Sequence, residues 1–315
     1  GEDRRLSFSN LNLGTVNEHK AVSIHQEPGR TGYRLVYQTG TTLRSRVVNE
    51  DGSLGRTVAD DVEHEFRELR SIGVSEERYL VVGQTAEPSV ITMLFNSSGN
   101  MLTQRAFTPN EVLFLGDMSR LEAVNVNAYE LVISQVSSGP FNTGGSHDLI
   151  RARISIFSDA LTFDILQVIE RPVFDRLGGN SRQTFLDGRR VYHIRQEDAA
   201  PLLGYTDLDN TVNFTVLFPL DDGIEHGIIR VQHVSHAGRY FIVNLDSPVG
   251  ISTTIYDTEE DFSRVSDLAP LNSPHEKKAV LLNTGLMLLI NTLELDESSS
   301  LLLATLNEEG DLRCP

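Results

Sequence analysis

The chain has 315 residues, 39% of them hydrophobic, and a formal net charge of -17 from 27 basic and 44 acidic side chains. That excess of negative charge repels phosphate backbones and anionic lipid surfaces, which excludes nucleic acid as an expected partner. No apolar run reaches the roughly 18–20 residues that a membrane-crossing helix needs, and the single cysteine, Cys314, leaves no internal disulfide and no cysteine-based zinc site.

In chain order, the first segment with strand character is Arg4–Asn10 (RRLSFSN), which has no repeat unit of its own. Beyond it one β-prone run recurs six times: GYRLVYQ from Gly32, RYLVVGQ from Arg78, AYELVIS from Ala128, RVYHIRQ from Arg190, RYFIVNL from Arg239 and GLMLLIN from Gly285. The intervals are 46, 50, 62, 49 and 46 residues, a period in the range of propeller blades. A second β-like stretch precedes several copies, as in AVSIHQ from Ala21 and RVQHVSH from Arg230. A turn signal follows in phase, as in VVNEDGSL from Val47, LFNSSGNML from Leu94 and TLNEEGDL from Thr305. In these turns Gly supplies a positive φ without steric cost.

Each unit therefore reads as four strands, a to d, joined as a meander. Radial repetition of such units gives an all-β chain, a single six-bladed β-propeller over residues 1–315 with four-stranded antiparallel blades. The expected blades are residues 18–59, 60–108, 109–170, 171–229, 230–269 and 270–315, the last completed by residues 1–17. Leu6–Asn10 is expected to pair with the last unit and close the ring. The one helix-like stretch, VEHEFREL at Val62–Leu69, is too short to act as a crossover between parallel strands.

The second unit, YLVVGQT from Tyr79 with ITMLFNSSGNMLTQRAF from Ile91, resembles the repeats of large secreted bacterial β-propellers. In those repeats a strand ending in glycine, a polar residue and Thr precedes an Asn-x-x-Gly-Asn turn. The resemblance implies fold and no activity. Export is expected on separate grounds: a leading Gly before a charged stretch reads as the boundary left by a removed signal peptide, and Asn96-Ser97-Ser98 and Asn213-Phe214-Thr215 are sequons. The expected location is extracellular or periplasmic.

Function is expected on one face, where two long segments read as loops between strands b and c of adjacent blades: Ser137–Asp148 and Glu197–Asn210. The candidate binding residues are Phe141, His147, Asp148, Tyr205, Asp207 and Asp209, with Phe141 and Tyr205 as apolar anchors inside a polar rim. Longer d-to-a connections from Val58, Thr108, Glu170 and Ser266 are expected to reach the same face. No cofactor is expected; Asp207 and Asp209 offer oxygens of the kind calcium takes, without the rest of a calcium loop. His25 and His233 are candidates to face the central channel from their a strands, but the leading expectation for each is a core or surface histidine with a local hydrogen bond.

No Gly-x-Ser-x-Gly elbow, P-loop or GxGxxG pattern occurs, and the absence of Trp removes the sialidase-type Asp-box signature. The leading expectation is a noncatalytic, exported module that binds a protein or glycan. The alternative is a hydrolase or lyase using carboxylates at the channel mouth, with or without a divalent cation. A third reading is a structural subunit of a surface assembly.

Overall fold

The computed structural model describes residues 22–169 except 31, 50–53, 88, 109–111, 138–145 and 159, together with the strands named below that lie outside that span. The chain forms two compact units, one of Gly14–Arg171 and one of Gly1–Leu13 with Pro172–Pro315. Among the described residues the secondary structure is all-β, in five four-stranded antiparallel meanders and one five-stranded sheet.

The unit Gly14–Arg171 holds three sheets. The first consists of β2 (Val22–Gln26), β3 (Tyr33–Thr39), β4 (Thr42–Val48) and β5 (Val58–Asp61), preceded in the chain by β1 (Leu11–Asn12) of the other unit. The second consists of β6 (Phe66–Ser75), β7 (Arg78–Thr85), β8 (Val90–Asn96) and β9 (Met101–Phe107). The third consists of β10 (Val112–Asn125), β11 (Ala128–Ser137), β12 (Ser146–Phe157) and β13 (Ala160–Ile169).

The second unit repeats the arrangement. Its sheets are β14 (Thr184–Asp187), β15 (Arg190–Gln196), β16 (Pro201–Asp207) and β17 (Asn210–Pro219), then β18 (Arg230–Ala237), β19 (Tyr240–Ser247), β20 (Gly250–Asp257) and β21 (Ser263–Leu271). The last is β22 (Glu276–Leu282), β23 (Gly285–Leu293) and β24 (Ser299–Leu306), to which β1 and β25 (Leu312–Arg313) both pair. The six recurring runs are the second strands β3, β7, β11, β15, β19 and β23. The N-terminal pairing with the last sheet is made by Leu11 and Asn12; Leu6–Asn10 lies outside the described residues. The helix-like VEHEFREL is half strand, since Phe66–Leu69 opens β6.

Burial shows why the sheets stack. Along β8 every residue from Val90 to Phe95 is buried, so the second sheet is covered on both faces, as a near-continuous apolar run demands. Along β12 burial alternates instead: Ile150, Ala152, Ile154 and Ile156 are buried, and the residues between them are more open. Those four join Leu80, Val82, Val90 and Leu94 in one cluster, so a single face of the third sheet packs on the second. In the other unit Thr254–Asp257 of β20 is likewise buried without interruption.

Close packing against Phe66 requires a glycine at position 83. Gly83 of β7 lies under the buried Phe66 ring, and a methyl group there would come within 2.5 Å of the ring carbons. Gly83→Ala should lower the stability of the protein by about 1–3 kcal/mol through overpacking. Phe66→Ala should cost about 3–5 kcal/mol, and the double substitution should cost less than the sum, because the cavity receives the methyl group. Urea denaturation of the three variants checks this; additive losses would mean that the two positions are not in contact.

Candidate functional site

The densest polar cluster among the described residues lies between the first and second sheets, close to their a–b and c–d turns. His25 on β2 stands opposite Arg34 on β3. The Arg34 side chain is buried, and its guanidinium is satisfied on several sides: Nε donates to Glu27 Oε1 at 2.6 Å, Nη2 donates to the Ser97 carbonyl at 2.7 Å and also pairs with Glu27. The guanidinium carbon sits 4.6 Å from the centre of the Tyr79 ring. Tyr79 stacks on Phe95 with ring centres 5.1 Å apart and donates its hydroxyl to Ser45 Oγ at 3.2 Å. A buried cation held this way is stable only while its anion remains, since removing one partner of such a pair costs about 3–5 kcal/mol.

His25 completes the cluster. Its Nδ1 lies 2.8 Å from Ser71 Oγ, and the Ser71 amide and hydroxyl both donate to Ser23 Oγ, at 2.9 and 3.0 Å. Burial, reinforced by the nearby Arg34 charge, lowers the His25 pKa to about 3. Burial also raises the Tyr79 hydroxyl above its ordinary value, against the opposing pull of Ser45 and Arg34. Neither group changes charge near neutrality, so the arrangement holds two sheets together and is unsuited to proton transfer. His25 is a core histidine with a local hydrogen bond: it is buried between the sheets, against Ser71 and Tyr79.

The same kind of bond recurs between the sheets of this unit. Gln38, at the seventh position of the recurring run, donates to the His64 carbonyl at 2.5 Å and accepts from the Phe66 amide at 2.7 Å. Gln84, at the same position one unit on, donates to the Leu115 carbonyl at 2.7 Å. Glu68 accepts from the Met118 amide at 2.8 Å, Arg70 donates to the Met118 carbonyl at 2.5 Å, and Asp60 accepts from the Met101 amide at 3.2 Å. Arg78 and Arg105 donate to the carbonyls of Ser158 and Leu161, at 2.7 and 2.9 Å. Each satisfies a backbone group of the neighbouring sheet that would otherwise need water.

The residues singled out from sequence fall as follows. Phe141 and Asp209 lie outside the described residues. His147 and Asp148 open β12, opposite Val136 and Gln135. Tyr205 and Asp207 lie within β16, opposite Tyr192 and Arg190, which corrects the reading of Glu197–Asn210 as one long loop. Its middle is a strand. Pro201 is tolerated because it is the first strand residue, and Gly204 sits at a register shift in the β16–β17 ladder. Tyr205 is half-buried beneath the Arg190 guanidinium, 4.4 Å from its ring centre. In their own sheets, His147 and Asp148 are at the b–c end of the third strand and Asp207 is at the c–d end.

The connections are also shorter than expected. Val58–Asp61 is strand β5, Val112 already belongs to β10, and Ser263–Leu271 is strand β21. The connection from Glu170 lies outside the described residues. His233 is on β18. Among the described residues no helix is long and apolar enough to cross a membrane.

Sequence reasoning missed the apolar tip of the third sheet. Val126, in the β10–β11 turn, is 88% exposed; Phe157, at the β12–β13 turn, is 64% exposed; Val124 is 52% exposed. The two turns are tied together by the Ile156 amide, which donates to the Asn127 carbonyl at 2.9 Å. Asn127 and Ser158 both adopt positive φ, 62° and 58°, and Arg78 braces the second turn through the Ser158 carbonyl. No periodicity in the sequence distinguishes these apolar side chains from buried ones.

No family model matches the chain, and no curated protein matches it. Among solved structures it is similar to a variant of the apocarotenoid oxygenase of Synechocystis, with 11% identity and a TM-score of 0.44 over 79% of this chain and 63% of that one. It is similar to prolyl oligopeptidase B of Galerina marginata, with 13% identity and a TM-score of 0.46 over 90% of this chain and 39% of that one. The β-propeller domain of the Trilobed protease of Pyrococcus furiosus aligns with 10% identity and a TM-score of 0.43, over 91% and 81%. The chain thus spans less than two thirds of the length of the oxygenase and of the oligopeptidase, and likenesses of this strength say nothing of what it does.

The depressed His25 pKa has a measurable consequence. The folded protein refuses a proton that the unfolded imidazole accepts below its ordinary value of 6.5. The stabilisation is therefore complete above pH 6.5 and is lost as pH falls towards 3, with a slope of about 1.4 kcal/mol per pH unit for one proton. Urea denaturation at pH 7, 6, 5 and 4 should show this slope as the difference between the wild type and His25→Gln. Parallel curves for the two proteins would refute the assignment.

Proposed function

We propose that the six sheets are the blades of one β-propeller and that it serves as a noncatalytic, exported binding module for a protein or glycan. One observation carries the binding reading: Val126 and Phe157 are held out in water on two turns that are hydrogen-bonded to each other and braced from the neighbouring sheet. Exposed apolar side chains on a rigid support favour recognition, because little conformational entropy is lost when a partner covers them. The contact face on this reading is that of the a–b and c–d turns, at the opposite end of the third sheet from His147 and Asp148.

Ring closure is supported by the N-terminal strand: Leu11 and Asn12 pair with β24 of the last sheet, which comes from the other end of the chain. Export is supported by the two sequons; in the first, Asn96 is half-buried and Ser98 exposed on the β8–β9 turn.

The test is a Val126→Asp, Phe157→Asp double variant. It should melt with the wild type, since both positions are exposed, and lose at least about tenfold in affinity for a partner found by glycan array or pull-down. Undiminished binding by the folded variant would remove this face from the proposal. Turnover of a ligand by the wild type would replace a binding module with an enzyme.

A further inference from the structure

β13 is the outermost strand of the third sheet, and no described strand pairs with its second edge. Such an edge presents a row of backbone N–H and C=O groups, which proteins blunt with charged side chains or with proline. The fourth strands of the other four-stranded sheets are blunted in this way. Half of β5 is aspartate, β9 carries Arg105, β17 ends on Pro219, and β21 carries Arg264 and Pro270. β13, ALTFDILQVI, has a single aspartate and neither a basic residue nor a proline.

The side chains of this strand are open as well. Every residue of Asp164–Val168 is exposed, and Ile165, Leu166 and Val168 are large and apolar. Ile165 lies opposite Ala152 and Val168 opposite Ile150, and both partners belong to the core cluster between the second and third sheets. Directly opposed residues share one face of a sheet. Ile165 and Val168 therefore continue the core face of the third sheet past the buried Phe163. Leu166 has no partner on β12, because Ile165 and Gln167 face the adjacent residues Ala152 and Arg151, and the strand bends at this bulge.

We propose that β13 receives an extended polypeptide segment as a fifth strand of the third sheet, with alternate apolar side chains of that segment laid on the face of Ile165 and Val168. The edge itself names the class of partner. A row of backbone donors and acceptors at strand spacing is matched by another peptide backbone, and neither a glycan nor a lipid surface repeats it. A second copy of this chain would bring its own net charge of -17 against the first, which disfavours it as the occupant. This edge goes beyond the Val126–Phe157 reading and does not depend on it, since it uses other residues and another kind of contact.

Two synthetic peptides test the edge on the full chain: one of alternating valine and threonine with a lysine at each end, and the same peptide with every amide nitrogen methylated. The first should slow hydrogen exchange of at least two β13 amides on the order of tenfold at saturation, and the methylated one should not bind. Equal binding of the two would mean apolar adhesion without strand pairing and would overturn the proposal. So would the absence of binding, or binding that protects no amide of β13. The Ile165→Lys, Val168→Lys variant should melt with the wild type, because both positions are exposed, and should bind the unmethylated peptide at least about tenfold more weakly. Should that variant fail to fold, the peptide pair on the wild type decides alone. A wild-type dimer in sedimentation that the variant dissolves would give the edge to a second copy and overturn the assignment.

Discussion

A four-stranded meander has two faces, and the sequence here makes both of them apolar where a neighbour exists on each side. That constraint governs the unit Gly14–Arg171. The second sheet, with six consecutive buried residues on β8, needs a neighbour on each face, and along β12 of the third sheet burial alternates. Apolar burial of this kind supplies most of the stabilisation, at roughly 25 cal/mol per Å² removed from water, but it is non-directional. It does not fix how far one sheet slides or turns over the next.

The polar bonds between sheets supply that direction. Gln38 and Gln84 hold the entry of the following sheet, Glu68 and Arg70 hold the Met118 backbone, and Arg34, Arg78 and Arg105 reach carbonyls at or beside the outer turns. Each is a modest contribution when made, about 0.5–1.5 kcal/mol, or somewhat more where the side chain is charged. The larger effect appears when one is removed and a buried backbone group is left without a partner. Sliding the sheets by one residue would do this at several points together, so the stitches penalise alternative packings more than they favour the native one.

What could be read from the sequence was whatever is local. The second strand of each unit stands out because five or six β-prone residues run together, and the LFNSSGNML turn because Gly99 must take a positive φ, observed at 90°. Glu197–Asn210 reads as a loop for an equally local reason: Pro201 and Gly204 look like loop residues when the ladder that accommodates them is out of sight. The Arg34 cluster left no signal, since its partners Glu27, Ser45, Tyr79 and Ser97 are spread over seven to 63 positions along the chain. The Val126–Phe157 tip was hidden because an apolar side chain declares nothing about its exposure until its neighbours are known.

The side chain–backbone bonds between sheets described above share a polarity. The side chain comes from the sheet earlier in the chain, and the backbone group it holds belongs to the segment that follows: Ser23 to Ser71, Arg34 to Ser97, Gln38 to Phe66, Asp60 to Met101, Gln84 to Leu115, Arg78 to Ser158. A ribosome makes the earlier sheet first. The side chains that grip are therefore synthesised before the backbone they hold, and the later segment contributes to each of these bonds only a peptide group, whatever side chains it carries.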